Sequence, residues 1–193
     1  MIKRANKMIM NDIWIKKMAL EHDMIAPFKD KQIAEGKISS GLSSYGYDAT
    51  LSDTFKIFTN VHSGTVDVKD FDDSNFIEKK TKEVLLPGNS FMLGVTEEVF
   101  KLPRDVTAIC VGKSSYSRAG VIVNVTPIEC SFEGSITIEI SNTSQNTCKI
   151  YAHEGIAQFL FFKGNAEPEI SYKDRAGRYM YQSGVVGPRK PKK

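Results

Sequence analysis

The chain has 193 residues, a formal net charge of +3 and three cysteines, enough for one well-cored domain. No apolar run is long enough to cross a bilayer, and the basic start Met1-Ile2-Lys3-Arg4 leads into no apolar signal core, so a soluble cytoplasmic protein is expected. Cys110, Cys130 and Cys148 are an odd set without CxxC spacing, which argues against a disulfide scaffold and a structural zinc site.

The charge belongs to the C-terminus. Taking Arg189, Lys190, Lys192 and Lys193 from +3 leaves −1, so the body is near neutral and a genome-binding role is weak. Residues 1–186 read as a single domain and 187–193 as a basic, disordered tail.

Asp12 is the expected N-cap of a short amphipathic helix carrying Trp14, Met18 and Leu20 and ending near Glu21-His22. Phe28 to Glu35 is expected to form a second short helical piece. Gly36 to Asp48 is rich in small residues and reads as a loop into the first strands, with Tyr45, Tyr47 and Asp48 in structural duty.

From there the pattern is β. Strands are expected at Phe55–Thr59, Thr65–Val68, Lys82–Leu86, Ser90–Thr96, Val106–Val111, Val121–Thr126, Ser135–Ser141, Cys148–Ala152 and Ile156–Phe162. Asp67 to Lys80 is acidic and reads as a solvated excursion or, less simply, a metal loop. Short strands divided by turn signals, with no helical pattern between the later ones, indicate a sandwich or barrel, not a parallel sheet.

Two stretches carry chemistry. Gly112-Lys113-Ser114-Ser115-Tyr116-Ser117-Arg118-Ala119-Gly120 combines glycines, hydroxyls and two cations, a composition that suits an anion but also an ordinary turn. Ile136-Thr137-Ile138-Glu139-Ile140 sets one carboxylate among branched residues. Alternation turns Glu139 away from both isoleucine neighbours, toward either a wet sheet face or a site.

G-K-S-S-Y-S-R-A-G, then V-N-V-T-P, I-T-I-E-I-S-N and G-I-A-Q-F-L-F-F, with S-S-Y-G-Y-D upstream and S-Y-K-D-R-A-G-R-Y-M-Y-Q-S-G-V downstream, resemble the dCTP deaminases of the dUTPase-like superfamily. The likeness runs from about Asp12 to Val186 and implies a mainly β, distorted jelly-roll or barrel with short N-terminal helices. It implies hydrolysis of dCTP to dUTP and ammonia in a homotrimer with sites between subunits. Magnesium would accompany the triphosphate, and dTTP is a possible inhibitor.

Zinc deaminases carry H-x-E and P-C-x-x-C ligand patterns; neither occurs here, so a zinc-free mechanism is expected. The resemblance makes Glu139, Ser114 and Arg118 the catalytic residues, with Glu139 the acid–base group, Ser114 holding water or amine and carbonyls near Val125 orienting the water. Lys113, Ser115 and Arg118 would meet the triphosphate or order the site. Tyr116, Ser117, Thr137 and Ile138 belong to the same binding motifs. Gln158 and Tyr172 would contact base or sugar, and Arg178 and Gln182 the phosphates. The family usually has Lys where Arg178 stands, which changes a point contact to a planar fork.

Two other readings stay in view. A bifunctional deaminase and pyrophosphatase would release dUMP, but Thr126 to Gly134 lacks the Asp such enzymes use, and Glu129 would have to substitute with a side chain one methylene longer. A non-catalytic module with its tail on nucleic acid would bind in a salt-sensitive way.

Overall fold

The computed structural model describes residues 8–59 and 64–190. The basic start Met1–Arg4 and the tail cations Lys192 and Lys193 lie outside them. The helix α1 (Asp12–His22) is followed by β1 (Ile25–Ala26), β2 (Gly41–Ser43), β3 (Gly46–Thr50), β4 (Thr54–Phe58), β5 (Phe76–Lys80), β6 (Glu83–Leu86) and β7 (Ser90–Lys101). Then come β8 (Val106–Gly112), the one-turn helix α2 (Ser114–Ser117), β9 (Val121–Asn124), β10 (Glu133–Asn142), β11 (Cys148–Tyr151) and β12 (Gly155–Lys163).

One sheet runs β5-β4-β7-β10-β9 with β1 also on β7, a second runs β2-β3-β12-β8, and β11 pairs with β6. The pairings within all three are antiparallel. The protein is therefore mainly antiparallel β, as its turn-divided short strands predict. The core lies between the sheets, where Ile138 and Ile140 of β10 meet Phe159 and Phe161 of β12, all with no accessible surface. Each such side chain is worth about 1.5–3 kcal/mol on burial. No helix among the described residues is long and apolar enough to span a membrane.

Several expectations need correction. The cap of α1 is Asn11, whose side chain accepts the Trp14 N–H at 3.2 Å; Asp12 is the first helical residue. Residues 28–35 form no helix. Their backbone is committed to β-type partners: Ile33 and Ser40 exchange bonds in both directions, and Lys29 O accepts from Leu42 N. Phe28 stacks on Tyr47 at 5.6 Å.

Thr65–Val68 is not a strand; a turn begins there, with the Lys69 N–H on Asp67 Oδ1 at 2.8 Å. The strand lies later, at β5, within the stretch read as a solvated excursion. The expectation of a disordered tail does not describe Gly187 to Lys190. Gly187 sits against Asp73 and Phe76, the Arg189 guanidinium over the Tyr179 ring at 5.6 Å, and Lys190 on Asp70.

Candidate active site

The alternation of β10 builds the site. Ile136, Ile138 and Ile140 point into the core, so Ser135, Thr137, Glu139 and Ser141 take the other face. In the sheet Glu139 stands opposite Leu93 of β7 and Asn124 of β9. That face is covered by a second apolar cluster of Leu93, Val95 and Val185 with Phe76 and Phe91 packed on it. Between cluster and strand lies a cleft of about 470 Å³ whose walls include Glu139, Thr137, Phe91, Leu93, Tyr172 and Gln182. Its size is that of a small-molecule site.

Glu139 is held in an unusual state. Its Oε2 is sealed from solvent and has no hydrogen-bond partner among the described residues. Burial pushes the carboxyl up from 4.5 to about 7, against a smaller opposing effect of its own backbone N–H. Charge is disfavoured where no donor or cation answers it. A carboxyl balanced near neutrality can take a proton and give it back.

The C-terminal segment forms the roof. Arg104 anchors its start through Asp174 at 2.7 Å and Ser171 at 3.3 Å. Hydrogen bonds from the Ser171 backbone N–H, then from Arg104, hold the Asp174 carboxyl below its usual range. Tyr172 is the pivot: its hydroxyl accepts the Tyr179 N–H at 2.9 Å, and its ring lies where a Cβ on Gly177 would be, 2.2 Å from the nearest ring atom. Any side chain at Gly177 would displace that ring. Gln182 then docks on β10, its Nε2 donating to Ser135 O at 2.6 Å and its O accepting from Ser135 N at 3.0 Å. The Val186 N–H reaches Thr137 Oγ1 at 3.4 Å, and Gly187 and Pro188 cross the cleft mouth. Arg178, on the outside, donates to Arg189 O at 3.1 Å.

The Ser-rich stretch is a separate feature. Bonds from Ser117 N to Lys113 O and from Arg118 N to Ser114 O, each 3.0 Å, close one helical turn, and Gly120 ends it at φ +80°. Ser114, Ser115 and Arg118 are exposed and do not line the Glu139 cleft. Lys113 is turned inward, its Nζ 2.6 Å from Asp48 Oδ2 and 2.9 Å from Ser39 Oγ. Tyr116 is core: its hydroxyl accepts from Tyr151 N at 3.1 Å, and burial pushes it up to about 12. Ser117 bonds back to Lys113 O at 3.1 Å, and Gln158 Nε2 donates to Ser43 Oγ at 3.0 Å.

Within one chain, then, Thr137, Glu139, Tyr172 and Gln182 converge, while Ser114, Ser115, Arg118, Gln158 and Arg178 stay outside the cleft. The Ile138 side chain faces the core. Sequence reasoning passed over Phe76, Phe91 and Leu93 as cleft wall. The continuous burial of β7 from Met92 to Thr96 is the trace they leave, since a strand covered on both faces loses its alternation. Glu129, on the cleft wall, is ion-paired with Arg175. No group of three or more His, Cys, Asp or Glu converges as a metal cage among the described residues.

An antiparallel β fold with a shielded carboxylate at the floor of a nucleotide-sized cleft defines a class, and comparison gives it a family. A solved structure of 2'-deoxycytidine 5'-triphosphate deaminase from Agrobacterium tumefaciens superposes with TM-score 0.65 at 16% identity, over 84% of this chain and 50% of that one. At that identity the likeness speaks for the fold, and this chain spans half the length of the Agrobacterium protein. The family model described as dCTP deaminase-like matches residues 9–164. The dCTP deaminase of Pelagibacter ubique is 57% identical over 182 residues, 94% of this chain and 98% of that protein. That of Rhodospirillum centenum is 56% identical over 181 residues, again 94% and 98%. The chain belongs to the dCTP deaminase family.

Proposed function

We propose that the protein hydrolyses dCTP to dUTP and ammonia, with Glu139 as the single acid–base group. The observation that carries this reading is the orphan, sealed oxygen of Glu139 in a cleft of nucleotide size. Membership of a family whose relatives are dCTP deaminases names the substrate.

The cytosine enters with C4 facing β10. A water between C4 and Glu139 loses a proton to the carboxylate as its oxygen bonds to C4. The same carboxyl returns that proton to N3 of the ring, then carries the remaining proton of the new hydroxyl to the amine, and ammonia leaves as the C4 carbonyl forms. A carboxyl near pH 7 does both jobs without a second residue, and such positioned transfer is worth about 100- to 10,000-fold. Carbonyls near Val125, on the cleft wall, orient the water. Gln182 and Tyr172 roof the sugar and base, and Arg178 gathers phosphate from the outside. Zinc has no part in this route; magnesium enters with the substrate's triphosphate, whose oxygens hold it.

Among the described residues the cleft wall carries no serine and no cation, and this supports a homotrimer in which Ser114, Ser115 and Arg118 come from the neighbour. The outer face of the second sheet fits such packing: Ile109 and Val111 of β8 are each about two-fifths exposed, beside Leu160 and Gln158 of β12. Inhibition by dTTP, a nucleotide of the same shape, fits the same cleft. The pairing of Glu129 with Arg175 favours a deaminase that leaves the triphosphate intact. Purified protein given dCTP and magnesium should release ammonia continuously. No ammonia above a blank would overturn the assignment.

A further inference from the structure

We infer that Arg104 is a positioning residue that acts through the Ser171–Asp174 turn to set Tyr172 over the cleft before substrate arrives; the inference rests on the deaminase reading above. Arg104 is not on the cleft wall itself. It stands between β7 and β8, in a turn closed by the Val106 N–H on Pro103 O at 3.2 Å and braced by the Leu102 N–H on Phe132 O at 2.9 Å. From that base all three guanidinium nitrogens reach the chain that leaves β12. Nη1 donates to Asp174 Oδ2 at 2.7 Å and to Ser171 Oγ at 3.3 Å. Nη2 donates to Glu169 O at 3.0 Å and to Pro168 O at 3.3 Å, and Nε lies 3.4 Å from Glu167 Oε2. The planar fork of arginine can gather so many groups at once, and the point charge of lysine cannot.

The place of these ties along the chain gives them their weight. Gly164 N bonds Asp105 O at 2.8 Å, and the next backbone bond to the body is from Tyr172 N to Cys130 O, at 3.3 Å. Between them, among the described residues, hydrogen bonds of Arg104 alone join the run 165–171 to the body. At the end of that run Ser171, 1% exposed, and Asp174 lock each other. The Ser171 N–H donates to Asp174 Oδ2 at 2.9 Å and the Asp174 N–H to Ser171 Oγ at 3.3 Å.

Tyr172 grows from inside this turn. Its ring packs 6.1 Å from that of Phe132, with the Arg175 guanidinium over it at 5.5 Å. Its carbonyl accepts from Gly177 N and its hydroxyl from Tyr179 N, each at 2.9 Å. A shift of the turn therefore carries the ring and the start of the roof with it, while Glu139 stays on β10. When a roof is only partly populated in its binding form, apparent affinity falls by that fraction and the bound complex is unchanged. Loss of Arg104 should accordingly raise KM and spare kcat.

Kinetics on dCTP are measured for the wild type, Arg104→Ala, Arg104→Lys, Tyr172→Ala and the Arg104→Ala/Tyr172→Ala double variant. Amide exchange is followed at Ser171, Gly177 and Tyr179, with β3 and β4 as internal controls. Both Arg104 variants should raise KM about tenfold with kcat within about twofold of the wild type. Once Tyr172 is Ala, Arg104→Ala should cost less than about threefold further in kcat/KM. Exchange at the three amides should quicken in both Arg104 variants while the control strands hold.

An unchanged KM, or a loss confined to kcat, would overturn the proposal. A full cost of Arg104→Ala in the Tyr172→Ala background would overturn it too, because Arg104 would then act by another route. A wild-type KM in Arg104→Lys would show that the fork is idle, and loss of protection in β3 and β4 would make Arg104 a global support; either result sinks the inference. A wild type that releases no ammonia would instead sink the functional reading, and exchange at Ser171, Gly177 and Tyr179 would still judge the tie.

Discussion

The environment of Glu139 costs stability and, in the proposed reaction, supplies reactivity. Its folded carboxyl is raised to about 7 from 4.5 because burial disfavours the charge. Below the lower value both folded and unfolded states hold the proton, and nothing is lost. Between the two the unfolded chain releases it and the folded one does not, so stability falls as pH rises, and the loss is complete above about 7. The full span corresponds to at most about 3 kcal/mol.

Two outcomes follow for Glu139→Gln. Its kcat should drop by about 1,000-fold, since an amide cannot take and return the proton. Thermal denaturation at pH 8 should show the variant more stable than the wild type, with the difference vanishing near pH 4. A variant that is inactive and less stable at pH 8 would mean that Glu139 is structural. In the wild type, kcat/KM should rise with pH through about 7 and level off, as expected of a base that must be unprotonated. A flat profile from pH 5 to 8 would contradict that role.

At the scale of elements the active part is the C-terminal segment, which is tied to β10 at Ser135 and Thr137 and to the body by Arg104. Its contacts are mostly single hydrogen bonds and exposed pairs, each of which contributes little. Segments held this way open easily and serve as lids. A chain ending at Gln182 should keep its unfolding transition and show a KM for dCTP raised more than about tenfold; an unchanged KM would remove the segment from the site.

How much of this was legible depended on what each element is asked to bury. The strand β10 announced itself, because Ile136, Ile138 and Ile140 alternate against polar residues and the site carboxylate falls on the polar beat. The edge strand β5 did not: all but Phe76 are exposed, and Glu78, Lys79 and Lys80 resemble a loop. Residues 28–35 misled because charge and apolar spacing were helical while their partners, Ser40, Leu42 and Tyr47, lie farther along the chain. The tail's basic composition gave no hint that Arg189 would find Tyr179 and Lys190 would find Asp70, since long-range partners leave no local trace.

For the whole molecule, the division of the motifs is the main structural fact. One chain holds Glu139 in a cleft and presents the Ser114–Arg118 turn on its surface. In the proposed trimer the turn of one subunit completes the cleft of the next, so two different damaged subunits can repair each other. Coexpressed Glu139→Gln and Arg118→Ala chains, each inactive alone, should assemble particles with activity in about a quarter of their sites, the yield for random mixing across shared interfaces. No recovery in mixed particles would put both residues in one chain's site.

The central claim is that this carboxylate site removes the amine of dCTP and leaves the phosphates alone. Resolving the nucleotides by ion-exchange chromatography, while counting ammonia, tests it most directly. The protein is incubated with dCTP and magnesium in a preparation free of contaminating pyrophosphatase. We predict dUTP and ammonia in equal amounts. Accumulation of dUMP and pyrophosphate in step with ammonia would contradict the account, and would give Glu129 a catalytic task despite its pairing with Arg175.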